Sequence, residues 1–394
     1  MENTNRSAGE ELAAKLLEEP KNAGLIMSDE EIAAADGFCE DYKKFLNAAK
    51  TEREASAEAI KRAKAAGFTE YDPAADYKAG DKFYFCNREK SVILTVMGKK
   101  PLAEGIRLAA AHIDSPRLDL KQHPLYEDRE LALFKTHYYG GIKKYQWTTI
   151  PMSLHGVIVK ANGEKVSVAI GEDECDPVFC VTDLLIHLAS EQMKRTLAEG
   201  VKGEELNLLI GSRPFKDDKV SKKVKLNIMS ILNEKYGITE HDFVSAELEI
   251  VPAFKARDLG FDRSMVGGYG QDDRVCSYPA LQAILDCEAP EHTCMTILTD
   301  KEETGSDGNT GLNSSYLPYF IDDLAAKQGA KGHNVISKSL CLSADVNAAE
   351  DPTFADVTET RNASKLNYGV VITKYTGARG KSGSNDARAE YMAR

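Results

Sequence analysis

Seven residues of types that bind metals or move protons are spread over distant parts of the chain: His112 and Asp114, Asp272 and Asp273, Glu302 and Glu303, and Asp345. Most stand where an apolar run ends, which is where a strand of an α/β sheet delivers side chains to a shared cleft. His112 and Asp114 are two apart on an extended segment, so both point to one face. A carboxylate so placed can accept the second imidazole N–H and fix the tautomer whose other nitrogen faces a metal. Asp272 follows Gly267-Gly-Tyr-Gly270, backbone that can pass close to a cleft. One aspartate using both oxygens can bridge two metal ions about 3.5 to 4 Å apart, with Asp273 and Arg274 holding its orientation. Glu302 and Glu303 diverge at a strand end, so Glu303 suits a ligand and Glu302, on the substrate side, a general base. Asp345 closes the run Ser339-Leu-Cys-Leu-Ser-Ala344 and adds a carboxylate at the same kind of position. Carboxylates gathered this closely repel one another without cations, and the set reads as a two-metal hydrolase site.

Each piece also has a plainer reading. His112 and Asp114 could be a surface pair at a strand end, and Asp272-Asp-Arg274 a helix N-terminus with acidic residues at its positive end. Asp300-Lys-Glu-Glu303 could be a solvated acidic turn, and Asp345 an ordinary cap. The conjunction, with its order, favours the site.

The elements that must position these residues can be outlined from periodicity. Residues 7 to 64 carry apolar positions at helical spacing, in Glu10 to Leu17, Glu30 to Ala35 and Phe38 to Ala49. Lys82 to Cys86, Ser91 to Val96 and Gly105 to His112 read as strands. From about Gln122 to Ser245 the text becomes turn-rich, with strands at Gly156 to Lys160 and Lys165 to Ala169 and a segment of helical length at Val181 to Met193. Lys216 to Lys225 reads as a solvated loop or helix face. Beyond it, Ala246 to Val251, Cys294 to Thr299, Ser337 to Ala344 and Gly369 to Tyr375 are expected strands, with helices after Asp272 and within Leu312 to Lys327. The expected fold is α/β, a mixed central sheet flanked by helices. Its catalytic domain is expected at 1–121 and 246–394, interrupted by an inserted, mostly-β domain at 122–245.

Composition bounds the function. At 394 residues the chain is long enough for two packed cores. A net charge of −12 argues against a phosphate-backbone binder, so no nucleic-acid partner is expected. There is no apolar stretch of about 18 residues and no basic-then-apolar N-terminus, so no membrane association and a cytoplasmic setting are expected. The eight cysteines are scattered without a Cys-x-x-Cys pair, as free thiols of a reducing compartment would be.

Five stretches carry a resemblance to a known family: Ala110-Ala-His-Ile-Asp-Ser-Pro-Arg-Leu-Asp-Leu-Lys121, His137-Tyr-Tyr-Gly-Gly-Ile-Lys-Lys-Tyr145, Gly270-Gln-Asp-Asp-Arg-Val-Cys276, Asp300-Lys-Glu-Glu-Thr-Gly-Ser306 and Ser343-Ala-Asp-Val346. Together they resemble the bacterial aminopeptidase I and aspartyl aminopeptidase family of co-catalytic zinc exopeptidases, the aminopeptidase I branch in particular. The resemblance implies that His112 and Asp345 bind one zinc, Asp272 bridges, Glu303 binds the second, Asp114 orients His112 and Glu302 is the general base. It implies removal of N-terminal amino acids from peptides by a water activated between two Zn2+ ions, with Mn2+ or Co2+ as possible substitutes. It also implies that 122–245 is a dimerisation domain and that the protein is a homo-oligomer, a dodecamer built from dimers. In the aspartyl branch a Pro-His-Leu-x-Ile-His-Leu run of the inserted domain reaches a neighbouring site. The corresponding text here is Thr182-Asp-Leu-Leu-Ile-His-Leu188, in which Asp183 replaces the first His, so a preference for acidic N-terminal residues is not expected.

The family's remaining zinc ligand is a histidine near the C-terminus, and none follows His333 here. Asn385 and Asp386 would cap a helix that stops after about two turns, so a missing C-terminal segment is expected. Two other functions remain open on the residues: a related two-metal deacylase or carboxypeptidase, and a non-catalytic assembly protein that has lost its metal.

Overall fold

A computed structural model describes residues 7–377, 381–384 and 387–393. The chain divides into two compact units, one of residues Asp41–Val346 and one formed by Met1–Glu40 with Asn347–Arg394.

Among the described residues the larger unit is built on two large sheets, beside a two-stranded one of Arg257–Leu259 and Met265–Gly267. The first has six strands in the order Thr69–Glu70, Lys82–Asn87, Ser91–Val96, Cys294–Thr299, Arg107–His112, Leu340–Ser343. It is mixed: Cys294–Thr299, Arg107–His112 and Leu340–Ser343 run parallel, while Ser91–Val96 is antiparallel to both its neighbours. All six residues of Ser91–Val96 are buried, because helices cover both faces of the sheet. Alternation along the strand sends Val92, Leu94 and Val96 into one core, with Tyr278, Leu281 and Ile284 of the helix Gln271–Leu285. Ile93 joins the other, with Phe320, Ile321 and Leu324 of the helix Tyr316–Lys327. Full burial of one such aliphatic side chain contributes about 1.5–3 kcal/mol.

The helix Glu52–Ala65 lies on the first of these faces. Thr51 and Glu54 close a capping box at its start, and Ala55, Ala59 and Ala63, each fully buried, form a small-residue stripe that lets it approach closely.

The second sheet has seven strands, in the order Lys165–Ile170, Met152–Val159, Ala246–Pro252, Arg117–Asp128, Leu131–Tyr139, Leu208–Gly211, Cys180–Val181, each antiparallel to its neighbours. Its core includes Leu118, Phe134, Trp147, Met152, Leu208 and Phe243. The helix Lys223–Tyr236 starts near the end of the lysine-rich stretch and packs on this core through Val224.

The structure is thus the mixed, helix-flanked α/β fold expected, with a largely antiparallel second sheet. Three segments differ from their sequence reading. Ala246–Pro252 pairs with Met152–Val159 and Arg117–Asp128, so it completes the second sheet and does not return to the first. Val181 to Met193 contains no α-helix; it holds the end of a strand and two short 3-10 turns, with Leu184, Leu185, Ile186 and Leu188 exposed. Of Gly369 to Tyr375, Tyr375 alone is in a strand, the two-residue Tyr375–Thr376.

In the smaller unit, Ser7 and Glu10 cap the helix Ala8–Leu16 reciprocally, and Ala23 donates its N–H to the Asn367 carbonyl. A short helix spans Ala387–Ala393; its expected caps, Asn385 and Asp386, lie outside the described residues. All eight cysteines are free thiols. No helix among the described residues is long and apolar enough to cross a membrane.

Candidate metal centre

Three parallel strands end side by side at the site. Thr299 is in register with His112, and the Ala344 N–H donates to the Ala110 carbonyl at 2.8 Å. His112 and Asp114, the turn Asp300 to Glu303, and Asp345 therefore emerge together from the carboxyl edge of the sheet. Asp272 arrives from the N-terminus of the helix Gln271–Leu285, which follows Gly270 at a φ of 81°. A Cβ at Gly270 would lie 1.8 Å from Nη1 of Arg274, so the buried guanidinium occupies the space a side chain would need. Arg274 donates to Ser115 Oγ at 2.9 Å, and Ser115 donates to the Asp272 carbonyl at 2.6 Å, a relay that fixes the backbone of that aspartate.

His112 is the centre of the cluster. Its Nδ1 lies 3.0 Å from the Asp114 carbonyl oxygen, which can only accept, so Nδ1 carries a proton and Nε2 is the nitrogen left to face a metal. Nε2 lies 3.1 Å from Asp272 Oδ1, 3.7 Å from Glu302 Oε2 and 3.8 Å from Asp345 Oδ1, yet is buried without a hydrogen-bond partner. One ligand atom from each of His112, Asp272 and Asp345 lies within 4.8 Å of the others. Zinc bonds of about 2.0–2.2 Å in a tetrahedron separate ligand atoms by roughly 3.2–3.6 Å, and the 3.1 and 3.8 Å spacings bracket that range. An orphaned imidazole nitrogen facing carboxylates in one small volume fits a divalent cation.

The electrostatics agree. Burial disfavours the charged imidazole, but the carboxylates of Asp114, Asp272 and Asp345 push the pKa of His112 up to about 12. The site favours positive charge, and in the metal-free chain a proton on His112 supplies it. Burial, with Asp345, Asp114 and Asp272 nearby, raises the Glu302 carboxyl above its ordinary value. Burial and the Asp272 charge push Glu303 up to about 7, and burial pushes Asp273 up to about 7.

Asp114 is fully buried, and its carboxylate collects three donors: Tyr139 Oη at 2.6 Å, the Glu302 N–H at 3.1 Å and the Glu303 N–H at 3.2 Å. Burial alone would raise its pKa; His112, Tyr139 and the Glu303 N–H hold it below the usual carboxylate range. It thus ties the strand end of His112 to the glutamate turn, where Lys301 adopts a φ of 74°. Its carboxylate lies 3.3 Å from His112 Nδ1, and its own carbonyl is the nearer partner.

The structure therefore gathers His112, Asp272 and Asp345 in one cluster, with Glu302 at its edge and Asp114 beneath it. Glu303 Oε1 is buried without a hydrogen-bond partner, as are both carboxylate oxygens of Asp273. Asp272 is oriented by Arg274 through Ser115. Ser115 and Tyr139 carry no sequence signal of their own, since each acts on a residue that only folding brings near, although both fall within the five resembling stretches.

A mixed α/β sheet with an imidazole and several carboxylates gathered at its carboxyl edge is an arrangement that suits a metal-dependent hydrolase. The comparisons with known proteins then narrow the class. Residues 45–393 match the family model described as aminopeptidase I zinc metalloprotease (M18), and the chain belongs to that family. It is 52% identical over 386 residues to a probable M18 family aminopeptidase 1 of Clostridium acetobutylicum, a match covering 96% of this chain and 83% of that one. The crystal structure of an M18 aminopeptidase from Thermotoga maritima superposes with a TM-score of 0.89 at 45% identity, over 96% of this chain and 83% of that one. A more distant structure, the mApe1 dodecamer of S. cerevisiae, has a TM-score of 0.67 at 19% identity over 83% of this chain and 75% of that one, a likeness of fold. The protein is a metalloaminopeptidase of this family.

Proposed function

We propose that this aminopeptidase works with two metal ions, His112, Asp272 and Asp345 holding one, and Asp272 and Glu303 holding the other, with Asp272 between them. The observation that carries the reading is the buried Nε2 of His112, unpartnered and facing the carboxylates of Asp272 and Asp345. Zinc suits this donor set, and manganese or cobalt would also be accepted by so oxygen-rich a site. When bound, such ions polarise the scissile carbonyl and lower the pKa of water toward about 7.

The chain's own residues do the rest. Glu302, with its side chain 46% exposed and its pKa raised, is both accessible and basic enough to take a proton from water and deliver it to the leaving amine. Asp114 fixes the His112 ring and the Glu302 backbone relative to each other.

The segment expected at 122–245, which the second sheet extends to the strands Arg117–Asp128 and Ala246–Pro252, is read as an inserted dimerisation domain and the molecule as a homo-oligomer. Support comes from the exposed apolar run Leu184, Leu185, Ile186 and Leu188, surface of the kind buried between subunits. A dodecamer, the assembly of the yeast protein, is the arrangement proposed.

The test is product analysis on metal-loaded protein with three peptide sets: free N-terminus, acylated N-terminus, and free N-terminus with a blocked C-terminus. Release of the first residue from the first and third sets is expected. Deacylation, or cleavage confined to free C-termini, would replace this reading with a deacylase or a carboxypeptidase.

A further inference from the structure

The strand Leu131–Tyr139 belongs to the second sheet, yet its last residue reaches the metal centre of the first. Tyr139 is 7% exposed and donates its hydroxyl to Asp114 Oδ2 at 2.6 Å. The other two donors to that buried carboxylate are main-chain N–H groups, those of Glu302 and Glu303. Two cations lie against the tyrosine ring: the Arg117 guanidinium is 3.9 Å from its centroid and Lys301 Nζ is 5.1 Å away. Arg117 is itself fixed by Asp119 at 2.8 Å, Glu52 at 3.3 Å and Glu249 at 3.3 Å. The next residue presses on the same turn, because a Cβ at Gly140 would lie 3.0 Å from Glu303 Oε2.

We propose that Tyr139 is a positioning residue of the hydrolytic site, acting through Asp114 on the His112 ring and on the Glu302–Glu303 turn. The proposal rests on the metallopeptidase reading above. Without the hydroxyl, Asp114 Oδ2 keeps only the Glu303 N–H at 3.2 Å, and two main-chain N–H groups, those of Glu302 and Glu303, are left to hold the carboxylate. The common anchor of a metal ligand and of the general base is then loosened. Outer partners of metal ligands typically contribute about 10- to 100-fold in metal affinity or activity.

Tyr139→Phe removes one oxygen and keeps the ring that Arg117 and Lys301 contact. The metal-free protein is titrated with Zn2+ against a chromophoric chelator, and kcat and KM are measured on a peptide with a free N-terminus. Expected are a loss of about 10- to 100-fold in Zn2+ affinity or kcat, KM within about twofold, and a melting temperature close to wild type. Incorporating 3-fluorotyrosine at 139, which restores the hydroxyl, should restore both quantities. Combined with Asp114→Asn, the loss should be smaller than the product of the single losses, because both act through one carboxylate. Tyr138→Phe, at a neighbour 39% exposed, should match wild type.

Wild-type affinity and kcat in Tyr139→Phe would overturn the proposal, as would independent multiplication in the double variant. A Tyr139→Phe chain that melted below assay temperature would also overturn it, by placing the hydroxyl's role in folding. If the wild type itself bound no metal and freed no N-terminal residues, the underlying functional reading would be what fails.

Discussion

At the scale of single residues, the proposed site gives His112 the metal and Glu302 the proton. Carboxylates push His112 up to about 12, so at neutral pH a metal must displace a proton to bind. Metal affinity should therefore rise with pH, by about tenfold per unit for one displaced proton; chelator competition at pH 6 and pH 8 measures it, and a flat profile would contradict the assignment of His112 as a ligand. Glu302→Gln keeps the shape and removes the base, so kcat should fall about 10²- to 10⁴-fold while bound metal, measured by atomic emission, is unchanged. The site's charged residues were legible in the sequence because most close an apolar run, and a strand end is where such side chains converge. Ser115 and Tyr139 were not, for hydrogen bonds to partners 157 and 25 residues away leave no local pattern.

At the scale of elements, the junctions that aim the site are the sensitive points. Gly270→Ala would place a methyl on the Arg274 guanidinium at a positive φ, and should cost about 1–3 kcal/mol, measured by denaturant unfolding. The strand Met152–Val159 is tied to the cap of the helix Glu52–Ala65 by His155, whose Nδ1 lies 2.7 Å from Glu54 Oε1 and whose Nε2 lies 3.2 Å from Glu172 Oε1. Burial opposes its charge, but Glu172 and Glu54 push its pKa up to about 9 from 6.5. A raised folded-state value means the contribution is full below about 6.5 and fades as pH climbs through 9. Wild-type stability should thus decline between pH 6.5 and 9, and His155→Gln should flatten that slope; equal slopes in both proteins would refute the pairing. Strands were legible from alternation, but alternation does not name a strand's partner, so the expected strand Ala246 to Val251 was placed in the resumed catalytic domain while it pairs within the second sheet. Val181 to Met193 misled for a related reason: an apolar run of that length reads the same whether it is a core helix or an exposed loop.

At the scale of the whole molecule, the α/β class and the order of ligand-bearing segments were legible because both follow the order of strands along the chain. Which sheet takes Ala246–Pro252 was not, since it depends on pairing across distant residues. The exposed loop around Leu184 to Leu188 predicts association: sedimentation should give a mass of several chains, and Ile186→Asp should lower it. Dependence of peptide hydrolysis on a metal held by His112, Asp272 and Asp345 is expected. It is tested most directly by stripping the protein with a chelator, restoring Zn2+ stepwise, and following both bound metal and release of the N-terminal residue, in the wild type and in His112→Ala. Activity that vanishes with the metal, returns with it in the wild type and does not return in His112→Ala is the predicted result. Activity that survives stripping, or full metal-dependent recovery in His112→Ala, would contradict the account.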